Sequence, residues 1–142
     1  MATVSALLKH KGERIFGIAP EAPVLDAIKE MAQRGVGALL VMKNDKLLGV
    51  VSERDYARKV ILKSRSSSET PVSQIMSFPV LTVRADQTVN ECMRIMTEHR
   101  VRHLPVVDGE RVVGVLSIGD LVRAVLEEQQ QTIAQLEQYI HS

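Results

Sequence analysis

Apolar residues recur along this chain in two spacings, and the same order of spacings occurs twice. A short apolar run from Ile15 to Ile18 predicts a strand. Val24, Ala27, Ile28 and Met31 follow in three- and four-residue steps, which predict one apolar face of a helix. Two strands come next, Ala38 to Met42 and Lys46 to Val51, joined by Asn44-Asp45, a pair suited to a tight turn. Ser52 then opens a second helix as an N-cap. From Val80 the order repeats, with a strand to Val83 and a helix face of Val89, Cys92, Met93 and Met96. Strands His103 to Val107 and Arg111 to Leu116 flank Asp108-Gly109, and a helix opens at Ser117. Pro23 suits the first turn of its helix, and Asp86 and Thr88 are candidate caps for the matching one.

The copies align without a gap at a displacement of 65 residues (89 − 24), from Val24 on Val89. Met31 then meets Met96, Leu39 meets Leu104, and Gly49-Val50 meets Gly114-Val115. Ser52 meets Ser117, Asp55 meets Asp120 and Arg58 meets Arg123. The fold class expected is α/β (α+β): two tandem β-α-β-β-α units packed as one pseudo-twofold module. Residues 1–14 form an N-terminal helical segment, 15–62 the first unit, 63–76 a linker, 77–126 the second unit and 127–142 a helical extension. The linker is serine-rich from Lys63 to Pro71, with one helical turn from Val72 to Met76. The last helix runs from Ile118 to Ile140, and its apolar stripe asks for a partner, read as a second subunit.

Composition narrows the function. Hydrophobic residues make up 45% of the chain but aromatics only 3%, so the core is aliphatic. The formal net charge of +1 gives no basic stripe for a nucleic-acid partner. The single cysteine, Cys92, cannot form an intrachain disulfide, which points to a reducing, cytoplasmic compartment. No secretory leader pattern and no apolar run of membrane-spanning length occurs. Cys92 aligns with Ala27 on an apolar helix face and reads as core, not as a nucleophile. His10, His99, His103 and His141 lack the spacing of metal ligands, and no phosphate-binding glycine fingerprint is present. Neither an enzyme nor a metal protein is expected.

Gly49-Val50-Val51-Ser52-Glu53-Arg54-Asp55 and Gly114-Val115-Leu116-Ser117-Ile118-Gly119-Asp120 share a strand-to-helix pattern. With the central strand Arg102-His103-Leu104-Pro105-Val106-Val107-Asp108, they make the chain resemble a stand-alone pair of CBS (cystathionine β-synthase) domains from Ile15 to about Val125. The resemblance implies a regulatory sensor that binds an adenosine-containing ligand, AMP or NAD foremost, in the cleft between the units, and that dimerises through helices. It implies no catalysis, and a separate effector protein that the sequence does not name.

The candidate chemistry follows from Ser52-x-x-Asp55 and Ser117-x-x-Asp120. Each serine caps a helix, and each aspartate sits where the helix dipole favours negative charge, able to accept hydrogen bonds from ribose hydroxyls. Backbone N–H groups of the same helix start could meet a phosphate. The resemblance sets Asp55 opposite Arg102 and His103, and Asp120 opposite Gly37 and Ala38. The Asp55 site, with Arg54 added, then has cations for a phosphate; the other has none. Ile18, Leu39 and Val51 could line one adenine slot and Val83, Leu104 and Leu116 the other, with Pro105 shaping the strand edge. Two other readings compete: a ligand-free dimerisation module, and an RNA-binding module using Arg54, Arg58, Lys59, Lys63 and Arg65.

Overall fold

The computed structural model describes residues 2–12 and 15–141. Met1, Glu13 and Arg14 of the segment expected at 1–14, and Ser142 of the extension expected at 127–142, lie outside the described residues. The helices are α1 (Val4–Lys11), α2 (Val24–Arg34), α3 (Glu53–Tyr56), α4 (Val89–His99) and α5 (Ile118–His141). The strands are β1 (Gly17–Ile18), β2 (Ala38–Lys43), β3 (Lys46–Ser52), β4 (His103–Asp108) and β5 (Arg111–Ser117). The architecture is mixed α/β with small sheets, as expected from the alternating patterns.

The chain divides into two compact units that are not contiguous in sequence. One comprises residues 15–81 with 110–112; the other comprises, of the described residues, 2–12, 82–109 and 113–141.

In the first of these, β1 runs parallel to β2, and β2 pairs antiparallel with β3. The hairpin turns through Asn44 and Asp45, both left-handed at φ 52° and 64°, a conformation that Asn and Asp tolerate well. Val24, Ala27 and Met31 of α2 pack on Leu39, Val41 and Val51 of the sheet, and Val60, Val72 and Ile75 close the core. Pro23 stands at the N-cap of α2, one position before the first turn expected for it, and provides no side-chain cap. The linker supplies what is missing: Val24 and Leu25 donate their N–H groups to the carbonyls of Thr70 and Ser67, at 2.8 and 2.9 Å. The helix expected after Ser52 is α-helical only over α3. It then widens to a π-helix over Ala57–Ile61. Leu62 and Arg65 donate five residues back, to the carbonyls of Ala57 and Val60. Val60 is thereby fully buried, while Ile61 and Leu62 stay exposed.

In the other unit, β4 and β5 form a two-stranded sheet. The strand expected from Val80 to Val83 is reduced to one parallel bridge, Val83 with Val106. The cause is Pro105. In the first copy Leu40 donates its N–H to Phe16 at 3.0 Å, but Pro105, at the matching position, has no N–H to donate. Thr88, not Asp86, caps α4, accepting from the Glu91 N–H. Val89, Cys92 and Met96 of α4 are buried, as are Leu116 and Leu121.

The duplication reaches further upstream than the β-α-β-β-α pattern. Val4 donates to Gln87 O at 2.9 Å and Val72 to Ala22 O at 2.8 Å; Ser5 donates to Ala85 O and Ser73 to Pro20 O, both at 2.9 Å. The segments beginning at Ala2 and Thr70 are thus equivalent lead-ins, displaced by 68 residues (72 − 4). Each packs in the unit that carries the other copy's body: 2–8 with copy two, 70–76 with copy one.

Candidate functional site

Both helix starts are built as reciprocal caps. Ser52 N–H donates to Asp55 Oδ2 at 2.9 Å, and Asp55 N–H donates to Ser52 Oγ at 3.1 Å. In the other unit Ser117 N–H donates to Asp120 Oδ2 at 2.8 Å, and Asp120 N–H donates to Ser117 Oγ at 3.2 Å. This is the capping box with Asp in place of Glu; it fixes each carboxylate at the first turn, where the dipole stabilises it by about 0.3–1 kcal/mol. The strands set the rest. Glu53 N–H donates to Gly37 O at 3.0 Å, and Ile118 N–H to Arg102 O at 2.9 Å. The N–H groups of Ser52, Glu53 and Asp55, and of their counterparts, are therefore engaged within the fold.

The carboxylates differ in their company. Asp55 Oδ1 lies 3.3 Å from Lys59 Nζ and accepts from Ser77 Oγ at 3.4 Å. Lys59 Nζ also donates to Ile75 O at 2.9 Å. Asp120 is held closer: Lys11 Nζ donates to its Oδ2 and Arg123 Nη2 to its Oδ1, each at 2.6 Å. Lys11 Nζ also donates to Val115 O at 2.7 Å. Burial alone would raise the pKa of Asp120. The Lys11 hydrogen bond, the Ser117 N–H and the Lys11 charge outweigh it and hold the carboxyl below its ordinary value.

Each unit brings part of the predicted set together. In one, Gly37, Ala38, Ser52, Arg54 and Asp55 converge, because Ala38 pairs with Ser52 across β2 and β3. Arg54 and Ile18 are half-buried there, and Leu39 and Val51 are buried. In the other, Ser117 and Asp120 stand next to the strand that carries Arg102 and His103. Arg102 is exposed and His103 half-buried, while Leu104, Pro105, Leu116 and Val83 are buried. Lys11 and Ser77 were not legible as carboxylate partners. Both lie in the lead-in stretches, whose equivalence appears only at the 68-residue displacement (72 − 4). Arg123 and Lys59 were not read as partners of the aspartates either, although their spacing, three and four residues on, is the separation at which side chains face each other on a helix.

Among the described residues no group of three or more His, Cys, Asp or Glu side chains stands close enough to hold a metal ion. Nor is any helix long and apolar enough to cross a membrane. Burial, with a smaller contribution from the Glu91 charge, pushes the Cys92 thiol up to about 11.

The comparisons with known proteins agree with this arrangement. The CBS domain model matches residues 13–62 and 72–127. The chain is 40% identical over 147 residues to the mitochondrial CBS domain-containing protein CBSX3 of Arabidopsis thaliana, covering 97% of this chain and 71% of the relative. A solved structure of a protein with CBS domains from Burkholderia ambifaria MC40-6 superposes with a TM-score of 0.86 at 50% identity, covering 90% of this chain and 96% of that one. The fold is also that of the CBS domain pair of the protein MJ0100, solved with 5′-methylthioadenosine and S-adenosyl-L-methionine. There the TM-score is 0.80 at 22% identity, covering 90% and 98%. Two copies of one unit, each with its Ser-x-x-Asp helix start, and a family model matched twice lead to one conclusion: this chain belongs to the CBS-domain family, as a CBS domain pair.

Proposed function

We propose that this CBS pair is a non-catalytic sensor that binds an adenine nucleotide, AMP or NAD, with Asp55 holding the ribose. The observation that carries the reading is the Asp55 carboxylate. It is fixed by its capping box, yet its Oδ1 has only the longer contacts at 3.3 and 3.4 Å from Lys59 and Ser77. A vicinal diol can replace such contacts at small cost. The adenosine ligands bound by the MJ0100 pair, a relative in fold, support the ligand class. Ligand binding would shift a conformational equilibrium that a separate effector protein reads, by no more than its differential affinity for the two states.

The protein is also proposed to form a homodimer through α5. Leu126, Ile133 and Ile140 recur every seven residues with Leu136 between them, and they are 54–75% exposed. That is the spacing of a helix seam that a second copy would cover. The lone buried Cys92 suits a reducing compartment, and the cytoplasm is proposed.

A thermal-shift panel of AMP, ADP, ATP, NAD and S-adenosylmethionine tests the ligand. AMP or NAD should raise the melting temperature, and Asp55→Ala should remove most of the gain. No shift with any of them at millimolar concentration would leave the ligand-free dimerisation module standing. A salt-dependent shift with RNA, lost on substituting Arg58 and Lys59, would favour the nucleic-acid module instead.

A further inference from the structure

We propose that Lys11 is an intramolecular competitor for the Asp120 carboxylate, so that this helix start is occupied by the protein's own ammonium group and opens to a ligand only when Lys11 is displaced. The inference rests on the nucleotide reading above and says why its two carboxylates are unequal. Lys11 Nζ donates to Asp120 Oδ2 and to Val115 O at 2.6 and 2.7 Å, while Arg123 takes Oδ1 at 2.6 Å. With the Ser117 N–H, three donors fill a carboxylate that has about four acceptor positions. A ribose diol needs two of them.

The lysine is placed by a rigid support. Val4 is fully buried, Leu8 lies over Gly114, and Val4 and Ser5 are bonded to Gln87 and Ala85, so the last turn of α1 is aimed at Asp120. The adjoining cleft, lined by Leu7, His10, Lys11, Leu116 and Arg123 among others, encloses about 240 Å³. That is below the ~300 Å³ at which small-molecule pockets begin. The first copy has no lead-in cation: the ammonium beside Asp55 is that of Lys59, four residues on in the same helix and farther off at 3.3 Å, and the lead-in residue that reaches Asp55 is Ser77, a neutral hydroxyl at 3.4 Å.

Calorimetric titration of AMP into variants lacking the first carboxylate tests this. Asp55→Ala alone should bind weakly. Asp55→Ala with Lys11→Met should bind at least about tenfold more tightly, and adding Asp120→Asn should abolish that gain. Lys11→Gln, which keeps a donor for the Val115 carbonyl, should give the same gain and guards against loss of α1 in the methionine variant. If the wild type binds AMP but neither Lys11 variant gains affinity, or the gain survives Asp120→Asn, the competitor role is overturned and the nucleotide reading stands. If the wild type binds no adenine nucleotide, both are overturned.

Discussion

Gly49 faces the Met76 thioether so closely that a Cβ added to the glycine would stand 2.7 Å from Sδ and 3.0 Å from the Ser77 carbonyl oxygen. Gly114 has the same relation to Leu8, whose Cδ2 would be 2.6 Å away. Both glycines let a lead-in segment lie flat on a strand. Their replacements should differ, because a leucine tip can turn aside and a backbone carbonyl cannot. Gly49→Ala should destabilise by about 1–3 kcal/mol, the range for overpacking, and Gly114→Ala by less. Urea denaturation of the two variants checks the order; equal losses would mean that the Ser77 backbone yields as easily as Leu8.

The helix ends of α2 and α4 offer a second comparison. Gly35 and Arg100 occupy matching positions and are both left-handed, at φ 67° and 55°. Glycine adopts that conformation freely, whereas a residue with a Cβ loses about 1–2 kcal/mol. Arg100→Gly should therefore raise the melting temperature and Gly35→Ala lower it. A lower melting temperature for Arg100→Gly would show that its side chain contributes more than the strain removes.

These positions also show what the sequence could and could not reveal. Strand and helix placement was legible because apolar spacing and the turn pair Asn44-Asp45 report local geometry directly. The missing strand at Val80–Val83 was also written in the chain, since Pro105 cannot donate, but only the pairing of positions 40 and 105 makes it readable. The carboxylates were legible at Ser52-x-x-Asp55 and Ser117-x-x-Asp120, where partner and cap lie three residues apart. Their outer contacts were not. Lys11 reaches Asp120 across 109 residues and Ser77 reaches Asp55 across 22, distances at which no local spacing rule applies. The π-helical widening after Tyr56 had no signal in the apolar pattern.

Asp120 makes acid stability a further test. Its folded-state pKa lies below the ordinary value of 3.8, so the unfolded chain takes up the proton more readily. The ion pairs with Lys11 and Arg123 thus contribute fully above about pH 4 and are lost as the pH falls through the lowered folded value. Asp120→Asn should be less stable than wild type at pH 7, with the gap narrowing below pH 4. A gap that stays constant down to pH 2 would mean that the carboxylate's charge plays no part.

Cys92 should be inert in the folded protein. Its thiol is buried, with a pKa pushed up to about 11, so almost no thiolate is present at pH 8. A disulfide-exchange reagent should label it only at the rate of unfolding, with full labelling in denaturant. Rapid labelling of native protein would contradict its place in the α4 core.

The most direct test of the account is equilibrium binding of AMP to the wild type and to Asp55→Ala, both shown to be folded by their melting curves. The wild type should bind saturably, and the variant with an affinity at least about tenfold weaker, the effect of losing one good polar anchor. Equal affinity in the two proteins would contradict it.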